Sequence, residues 1–277
     1  MNNSVRVSVI MPVYNDYKFL ESAINSILTQ SFKDYELIIC NDGSSNKECL
    51  NILAKYRSNE KVIILDNENN LGLPKSLNRC IDVASGKYIA RMDGDDISLV
   101  DRLETEVCFL DENHDIDAVS SFASIIDEFD VCNGSIKYPL CPTFKQVLEG
   151  SKFVHPASMF RKEALLDVGC YRTDLLSTKG RCEDYDLWCR LYEKKHNCCN
   201  IDSVLIFYRE EQNSYRKRSK ISYKYNYLVK LEWRKKFKHL KPSFKSIFIA
   251  FLHWILPEKI SFYFHKKKVE KKVKKSL

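Results

Sequence analysis

Between residues 5 and 110 the chain alternates short apolar runs with stretches in which apolar side chains recur at helical spacing. Val5–Met11 is a β-rich run closed by Pro12. Asp16–Leu28 then carries Phe19, Leu20, Ala23, Ile24, Ile27 and Leu28 on one helical face, which predicts strand, loop and helix. The same unit is predicted for Tyr35–Cys40 with Asn46–Tyr56, for Val62–Leu65 with Leu73–Ala84, and for Lys87–Met92 with Ser98–Leu110. Four consecutive strand–helix units imply a mostly parallel sheet covered by helices. Ligands bind beyond the carboxyl ends of the strands in such sheets. The chemistry is therefore expected in the loops Pro12-Val13-Tyr14-Asn15, Asn41-Asp42-Gly43-Ser44 and Asp93–Asp96.

Beyond about residue 115 the strict alternation stops. Ala118–Ile126 predicts a strand, Asp127–Ser135 a turn and Ala157–Arg161 another strand. Glu183–Leu191 opens with acids and continues as an amphipathic helix, with Leu187, Trp188, Leu191 and Tyr192 turned to the core. Asp186 reads as a partner for the dipole of that helix. This divides the chain into residues 1–112, 113–214 and a segment 215–277.

Composition changes the picture in two ways. With 277 residues, 44% of them hydrophobic, the chain can bury one large α/β core, or a core plus a smaller lobe. Eleven cysteines, an odd number with no Cys-x-x-Cys, and the absence of a signal-type run in Met1–Val7 predict a reducing cytoplasm and buried thiols rather than disulfides or zinc. The net charge of +7 splits into about +17 over residues 216–277 and about −10 over the rest. Ile247–Leu256 is apolar but only ten residues long and bracketed by Pro242 and Pro257, too short to span a bilayer. Beside Arg234, Lys235, Lys236, Lys238 and the Lys266–Lys268 and Lys271–Lys272 clusters, it reads as an interfacial anchor on an anionic leaflet. The alternative is a core helix followed by a lysine-rich tail. Tyr215, Tyr223, Tyr225 and Tyr227 among basic residues could stack on bases, but no nucleic-acid module accompanies them, so no nucleic acid is expected.

The strongest chemical signal is Tyr88-Ile89-Ala90-Arg91-Met92-Asp93-Gly94-Asp95-Asp96, where an apolar strand runs into three carboxylates within four residues. Charges that close repel unless neutralised, and Mg²⁺ or Mn²⁺ bearing a diphosphate does this with one or two protein carboxylates. A solvated acidic turn that caps the next helix is the plainer reading. No Gly-x-Gly-x-x-Gly and no Gly-Lys-Ser/Thr follows any of the strands, which argues against a dinucleotide or ordinary ATPase site.

Read together, these loops resemble those of family 2 glycosyltransferases, inverting enzymes of the GT-A fold. The likeness extends from Val7 to about Arg209, through Pro12–Asn15, Ser26-Ile27-Leu28-Thr29-Gln30-Ser31, Asn41–Ser44, Asn70-Leu71-Gly72-Leu73, Ser76-Leu77-Asn78, Gly86–Asp96, His155-Pro156, Val168-Gly169-Cys170-Tyr171-Arg172 and Glu183–Trp188. It implies a Rossmann-like central sheet, a nucleotide-sugar half, an acceptor half and a basic helical tail. By the same likeness Pro12, Val13 and Tyr14 hold the nucleobase and Asp42 accepts a hydrogen bond from uracil or ribose. Asp93, nearer the ribose, and Asp95 form the metal-associated Asp-x-Asp, with Mn²⁺ or Mg²⁺ as cofactor, and Asp96 caps or supports. Asp184 is the catalytic base and Glu183 an acceptor contact. His155 is either a donor or acceptor contact or a turn histidine before proline. The likeness is greatest to O-antigen and capsule transferases. It implies a UDP-sugar donor, hexosyl or N-acetylhexosaminyl transfer, a polyprenyl-diphosphate-linked glycan acceptor, and a peripheral place on the inner face of the cell membrane. Cys170 replaces a glycine common in relatives, and Tyr208-Arg209-Glu210-Glu211-Gln212 lacks the histidine often found there, so the local turn and a further ligand or lid contact are open. No Gln-x-x-Arg-Trp appears, against a processive synthase. The alternatives are a sugar-nucleotide nucleotidyltransferase, which would carry a glycine-rich loop where Pro12–Asp16 stands, and a non-catalytic membrane- or nucleic-acid-binding relative.

Overall fold

The computed structural model describes residues 5–174, 182–211 and 220–256. The Lys266–Lys268 and Lys271–Lys272 clusters and Tyr215 lie outside the described residues. The four predicted units form β1 (Val7–Val13), α1 (Leu20–Leu28), β2 (Tyr35–Asn41), α2 (Lys47–Tyr56), β3 (Val62–Asp66), α3 (Leu73–Val83) and β4 (Tyr88–Arg91). The strands pair in parallel in the order β3-β2-β1-β4. β1, β2 and β4 are apolar without alternation because both faces are covered. Val9, Met11, Leu37 and Ile39 join Leu20, Ile24 and Ile27 in one core, while Ile10, Ile38, Cys40 and Ile89 join Leu77, Cys80 and Ile81 in the other.

The chain continues as β5 (Ile97–Ser98), α4 (Arg102–Glu112), β6 (Ala118–Ile126), β7 (Cys132–Ile136), α5 (Phe144–Leu148), β8 (Ser158–Arg161), α6 (Lys162–Asp167), α7 (Glu183–Glu193) and β9 (Cys198–Arg209). These strands extend the same sheet as β4-β8-β6-β9-β5, with β8 antiparallel to β4, β6 and β9 parallel to each other, and β7 added along β6. The architecture is the expected α/β fold, with one sheet running through both halves.

Several boundaries differ from the sequence reading, each for a physical reason. β1 does not stop at Pro12 but includes it. Pairing with β4 ends at Ile10 and Arg91, so the side on which Pro12 lacks an N–H has no ladder left to serve. α1 begins at Leu20 rather than near Asp16, because Asn15 takes a left-handed φ of 52° and is itself tied to the loop after β2. Ser98 does not start a helix: Ile97 and Ser98 pair with β9, and α4 begins at Arg102. Asp127–Ser135 is only partly turn, since Cys132–Ile136 returns along β6. The expected strand at Ala157 begins one residue later, after a 3-10 turn over His155–Ala157. Of the cysteines, Cys108, Cys132 and Cys141 are exposed rather than buried.

The last described elements are α8 (Lys220–Lys236) and α9 (Phe244–Ile255). α8 buries Tyr223, Val229 and Trp233, and α9 buries Ile247 and Ala250, the two helices packing on each other. No helix among the described residues is long and apolar enough to cross a membrane.

Candidate active site

The carboxyl ends of β1, β2 and β4 converge, and the loops that leave them are laced together. Asn15 Oδ1 accepts the backbone N–H groups of Ser45 at 2.8 Å and Asn46 at 2.9 Å, the Asn15 N–H donates to Ser44 Oγ at 2.9 Å, and Asn46 caps α2 through Cys49 N–H. Tyr14, in the β1 loop, is 53% exposed. Gly43 takes φ +70°, and a Cβ there would lie 2.5 Å from the Asn69 backbone, so only glycine lets the β2 loop meet residues 69–70.

Asp42 is buried beside this contact. Its Oδ1 accepts Asn67 Nδ2–H at 2.6 Å and the Leu71 N–H at 2.8 Å, and its Oδ2 accepts the Gly72 N–H at 2.9 Å. A carboxylate has about four acceptor positions, so Asp42 spends three on ordering residues 67–72 and keeps one, on Oδ2. The family resemblance implied a ligand contact for Asp42 but gave no sign that Asp42 builds the neighbouring loop.

Just past β4, Asp93, Asp95 and Asp96 bring carboxylate oxygens within 4.8 Å of one another. Gly94 between them tucks against the β1 loop, where a Cβ would meet Asp16 Oδ2 at 3.4 Å and Val13 at 3.6 Å. Arg91, itself buried, donates to Asp93 Oδ2. Burial works against the charged guanidinium, yet Asp93, Tyr171 and Asp96 keep its pKa above the ordinary value. Asp96 is 1% exposed; burial first, then the charges of Asp93 and Asp95, push its carboxyl well above the usual range. Its Oδ1 accepts the Arg209 N–H at 2.8 Å, while Oδ2 is buried with no hydrogen-bond partner among the described residues. Three crowded carboxyls, one with an orphaned buried oxygen, fit a hard divalent cation that takes oxygen ligands.

Arg209, at the end of β9, is the residue sequence reasoning missed. Its side chain donates to the carbonyls of Asp95 at 2.8 Å and Asp127 at 2.6 Å, pairs with Asp130 at 2.6 Å, and lies 3.8 Å from the centre of the Phe19 ring. With the Arg209 N–H on Asp96, one residue grips the acidic loop from the far side of the sheet. The only sequence signal was the Tyr208-Arg209 pair, noted for the histidine that does not follow it.

Asp184 and Glu183 stand in the first turn of α7, Asp184 half-buried and Glu183 buried. Tyr171 joins them to the acidic loop. Burial raises the Tyr171 pKa, Arg91 opposes the rise, and Glu183 and Asp184 add to it, so all three charges lie within electrostatic reach of one phenol. The Tyr171 hydroxyl lies 2.9 Å from Nε2 of His155. His155 is buried against Phe160, Tyr171 and Trp188; burial, then Arg91, hold its pKa well below the ordinary value, so the ring is neutral. Gly169 and Cys170 both take left-handed conformations, φ 75° and 54°, so the turn before Tyr171 survives with Cys170 in place of the common glycine.

Asp186 is not a surface dipole partner. It is fully buried, accepting Arg190 Nε–H at 2.8 Å and Trp233 Nε1–H at 2.9 Å, with Arg172 3.5 Å away. It fastens α8 to the helix that carries Asp184.

This arrangement of loops coincides with a family pattern: residues 8–169 match the model of glycosyl transferase family 2. The chain belongs to that family. It is 36% identical over 221 residues to the putative glycosyltransferase EpsE of Bacillus subtilis, covering 79% of this chain and 78% of that one. It is 29% identical over 231 residues to an Escherichia coli enzyme named UDP-Gal:alpha-D-GlcNAc-diphosphoundecaprenol beta-1,3-galactosyltransferase, covering 80% of each. Among solved structures, TarS 1–349 of S. aureus in complex with UDP-GlcNAc superposes with a TM-score of 0.66 at 20% identity, over 81% of this chain and 65% of that one, so the chain spans just under two thirds of TarS 1–349. The mannosyltransferase PcManGT of Pyrobaculum calidifontis, in complex with GDP-Man and Mn²⁺, superposes with a TM-score of 0.63 at 17% identity, over 93% of this chain and 72% of that one. These likenesses establish the GT-A fold of this family 2 glycosyltransferase.

Proposed function

We propose that this glycosyltransferase moves a hexosyl or N-acetylhexosaminyl group, with inversion at the anomeric carbon, from a nucleotide diphosphate donor to a glycan on a polyprenyl diphosphate carrier, in the synthesis of a bacterial surface polysaccharide. The observation that carries this reading is the set of Asp93, Asp95 and Asp96 oxygens within 4.8 Å of one another beyond β4, in a loop that meets the β1 loop at Val13 and Asp16. A UDP-sugar is the first donor to test, because one relative is named for UDP-Gal and a polyprenyl diphosphate acceptor, and TarS is complexed with UDP-GlcNAc. PcManGT, complexed with GDP-Man, keeps a guanine nucleotide on the list.

In this reading Pro12, Val13 and Tyr14 receive the base, and Asp42 offers its remaining Oδ2 position to the base or ribose. Asp93 and Asp95 would hold Mn²⁺ or Mg²⁺, which when bound would offset diphosphate charge and ease departure of the leaving group. Asp96 and Arg209 hold that loop in shape. Asp184 takes the proton from the acceptor hydroxyl as its oxygen attacks the anomeric carbon from the face opposite the diphosphate. Glu183 contacts the acceptor, and His155 acts through Tyr171 rather than by its own charge. The chain works at the inner face of the cell membrane, its basic tail toward anionic lipid. Support for this is the concentration of positive charge after residue 215.

The test is nucleotide release from UDP-glucose, UDP-galactose, UDP-GlcNAc and GDP-mannose with a short-chain polyprenyl diphosphate sugar as acceptor, followed by assignment of the product anomer. One donor should be turned over with inversion. Asp184→Asn and Asp95→Asn should each abolish transfer, while only Asp95→Asn weakens metal-dependent nucleotide binding. A retained anomeric configuration, or near-normal turnover by Asp184→Asn, would contradict the mechanism.

A further inference from the structure

α9 is apolar on more sides than the fold covers. Ile247 and Ala250 turn inward onto α8, whereas Phe244, Phe248 and Ile255 are 64%, 48% and 49% exposed. With half-exposed Leu252 they follow each other at helical spacing, so a single stripe of large apolar side chains faces away from the domain. Exposed large apolar side chains grouped on one face mark a contact site more often than scattered ones do.

The charge beside the stripe says what it contacts. Residues 220–256 hold nine lysines and arginines against one acid, Glu232, and that acid is bound to Arg172. Where the two helices join, Leu231, Arg234, Lys235, Lys238, Pro242 and Phe244 line a groove of about 340 Å³. The Arg234 guanidinium lies 5.2 Å from the centre of the Phe244 ring and donates to the Pro242 carbonyl, so the basic groove opens at the head of the apolar stripe. A cationic groove continuous with an apolar ridge matches a bilayer surface, where anionic phosphates lie next to acyl chains. A protein partner would supply the apolar half of this match without requiring the cations.

We infer that the α8–α9 hairpin is a seating surface for an anionic phospholipid bilayer, with lipid phosphates in the groove of Arg234, Lys235 and Lys238 and the side chains of Phe244, Phe248 and Ile255 entering the acyl boundary. The inference deepens the membrane-side reading above by naming the surface. It also adds a consequence. The hairpin is fixed to the domain rather than tethered, because Trp233 Nε1 donates to Asp186 of α7 at 2.9 Å, Lys236 pairs with Glu193 of the same helix, and Arg172 pairs with Glu232. Seating the hairpin therefore sets the orientation of α7, and of Asp184 at its start, relative to the membrane in which a lipid-linked acceptor lies.

The experiment is flotation of the full-length protein with vesicles of phosphatidylcholine containing phosphatidylglycerol, and with phosphatidylcholine alone, without donor or acceptor. The protein should float only with the anionic vesicles. Phe244→Ser/Phe248→Ser/Ile255→Ser and Arg234→Gln/Lys235→Gln/Lys238→Gln should each lower the bound fraction at least tenfold, while UDP binding in solution is unchanged. Wild-type-like flotation by both variants would assign binding to residues 257–277 and overturn the proposal. So would failure of the wild type to float, including the case in which the protein is a dimer that Phe248→Ser dissociates. Because the readout needs no turnover, failure of the transferase reading leaves this result interpretable, and the reverse also holds.

Discussion

At the scale of single residues, the most informative side chains are acids held away from water. Asp186 is fully satisfied, by Arg190, Arg172 and Trp233. Asp96 is not, and its orphaned oxygen beside Asp93 and Asp95 is what makes a cation chemically sensible there. Glu106 is a buried acid outside that cluster. Burial pushes its carboxyl up to about 7, against the pull of Arg102, whose Nε donates to Oε1 at 3.1 Å. In the unfolded chain the same group ionises near 4.5. Between those values the folded protein holds a proton that the unfolded chain has lost, so stability falls as pH rises from about 4.5 to about 7 and levels off above it. Glu106→Gln lacks this titration. It should melt with the wild type near pH 5 and become relatively more stable toward pH 8, by an amount on the order of 3 kcal/mol. Thermal unfolding across that range checks it, and a difference independent of pH would contradict the assignment. The Asp-x-Asp spacing of Asp93 and Asp95 was legible in the sequence because crowded carboxylates are rare without a reason. The burial of Asp96 and Asp186 was not, since an acid at a helix start reads as solvated until its partners, 113 and 47 residues away, are seen.

At the scale of elements, the four strand–helix units were legible because double-sided burial imposes long apolar runs on β1, β2 and β4. β9 was not, although it forms the longest strand. Its pairing with β6 shifts twice, between Ser121 and Phe122 and between Phe122 and Ala123, so Asp202 and Ser203 are squeezed out to solvent and interrupt the apolar pattern. β5, with two residues, is too short for any period to reveal. Yet these two strands shape the acidic loop: β5 follows it directly, and β9 delivers Arg209 onto Asp95 and Asp96. Arg209→Lys keeps the charge but loses the planar fork that reaches the Asp95 and Asp127 carbonyls and Asp130 together. It should fold normally and weaken metal-dependent nucleotide binding about 10- to 100-fold, as loss of a supporting partner does in metal sites. Unchanged binding would show that Arg209 serves packing alone.

At the scale of the whole molecule, one sheet carries all the loops of the candidate site. The parallel strands β1, β2 and β4 present the loops of Tyr14, Asp42 and Asp93–Asp96, and the mixed strands beyond β4 bring in Arg209, His155 and the support for α7. Sequence periodicity therefore located the strand-end loops of Tyr14, Asp42 and Asp93–Asp96, and family resemblance was needed to single out Asp184 and Glu183. Asp184 and Arg91 come within electrostatic reach of Tyr171 only through a fold that no local pattern encodes. The central claim is a nucleotide diphosphate site completed by a metal on Asp93 and Asp95. Its most direct test is calorimetric titration of UDP into the full-length protein with Mn²⁺, then with EDTA, for the wild type and for Asp95→Asn. The account predicts micromolar binding by the wild type that disappears with the chelator and is lost in the variant; binding that is indifferent to EDTA and to Asp95, or no binding in either condition, would contradict it.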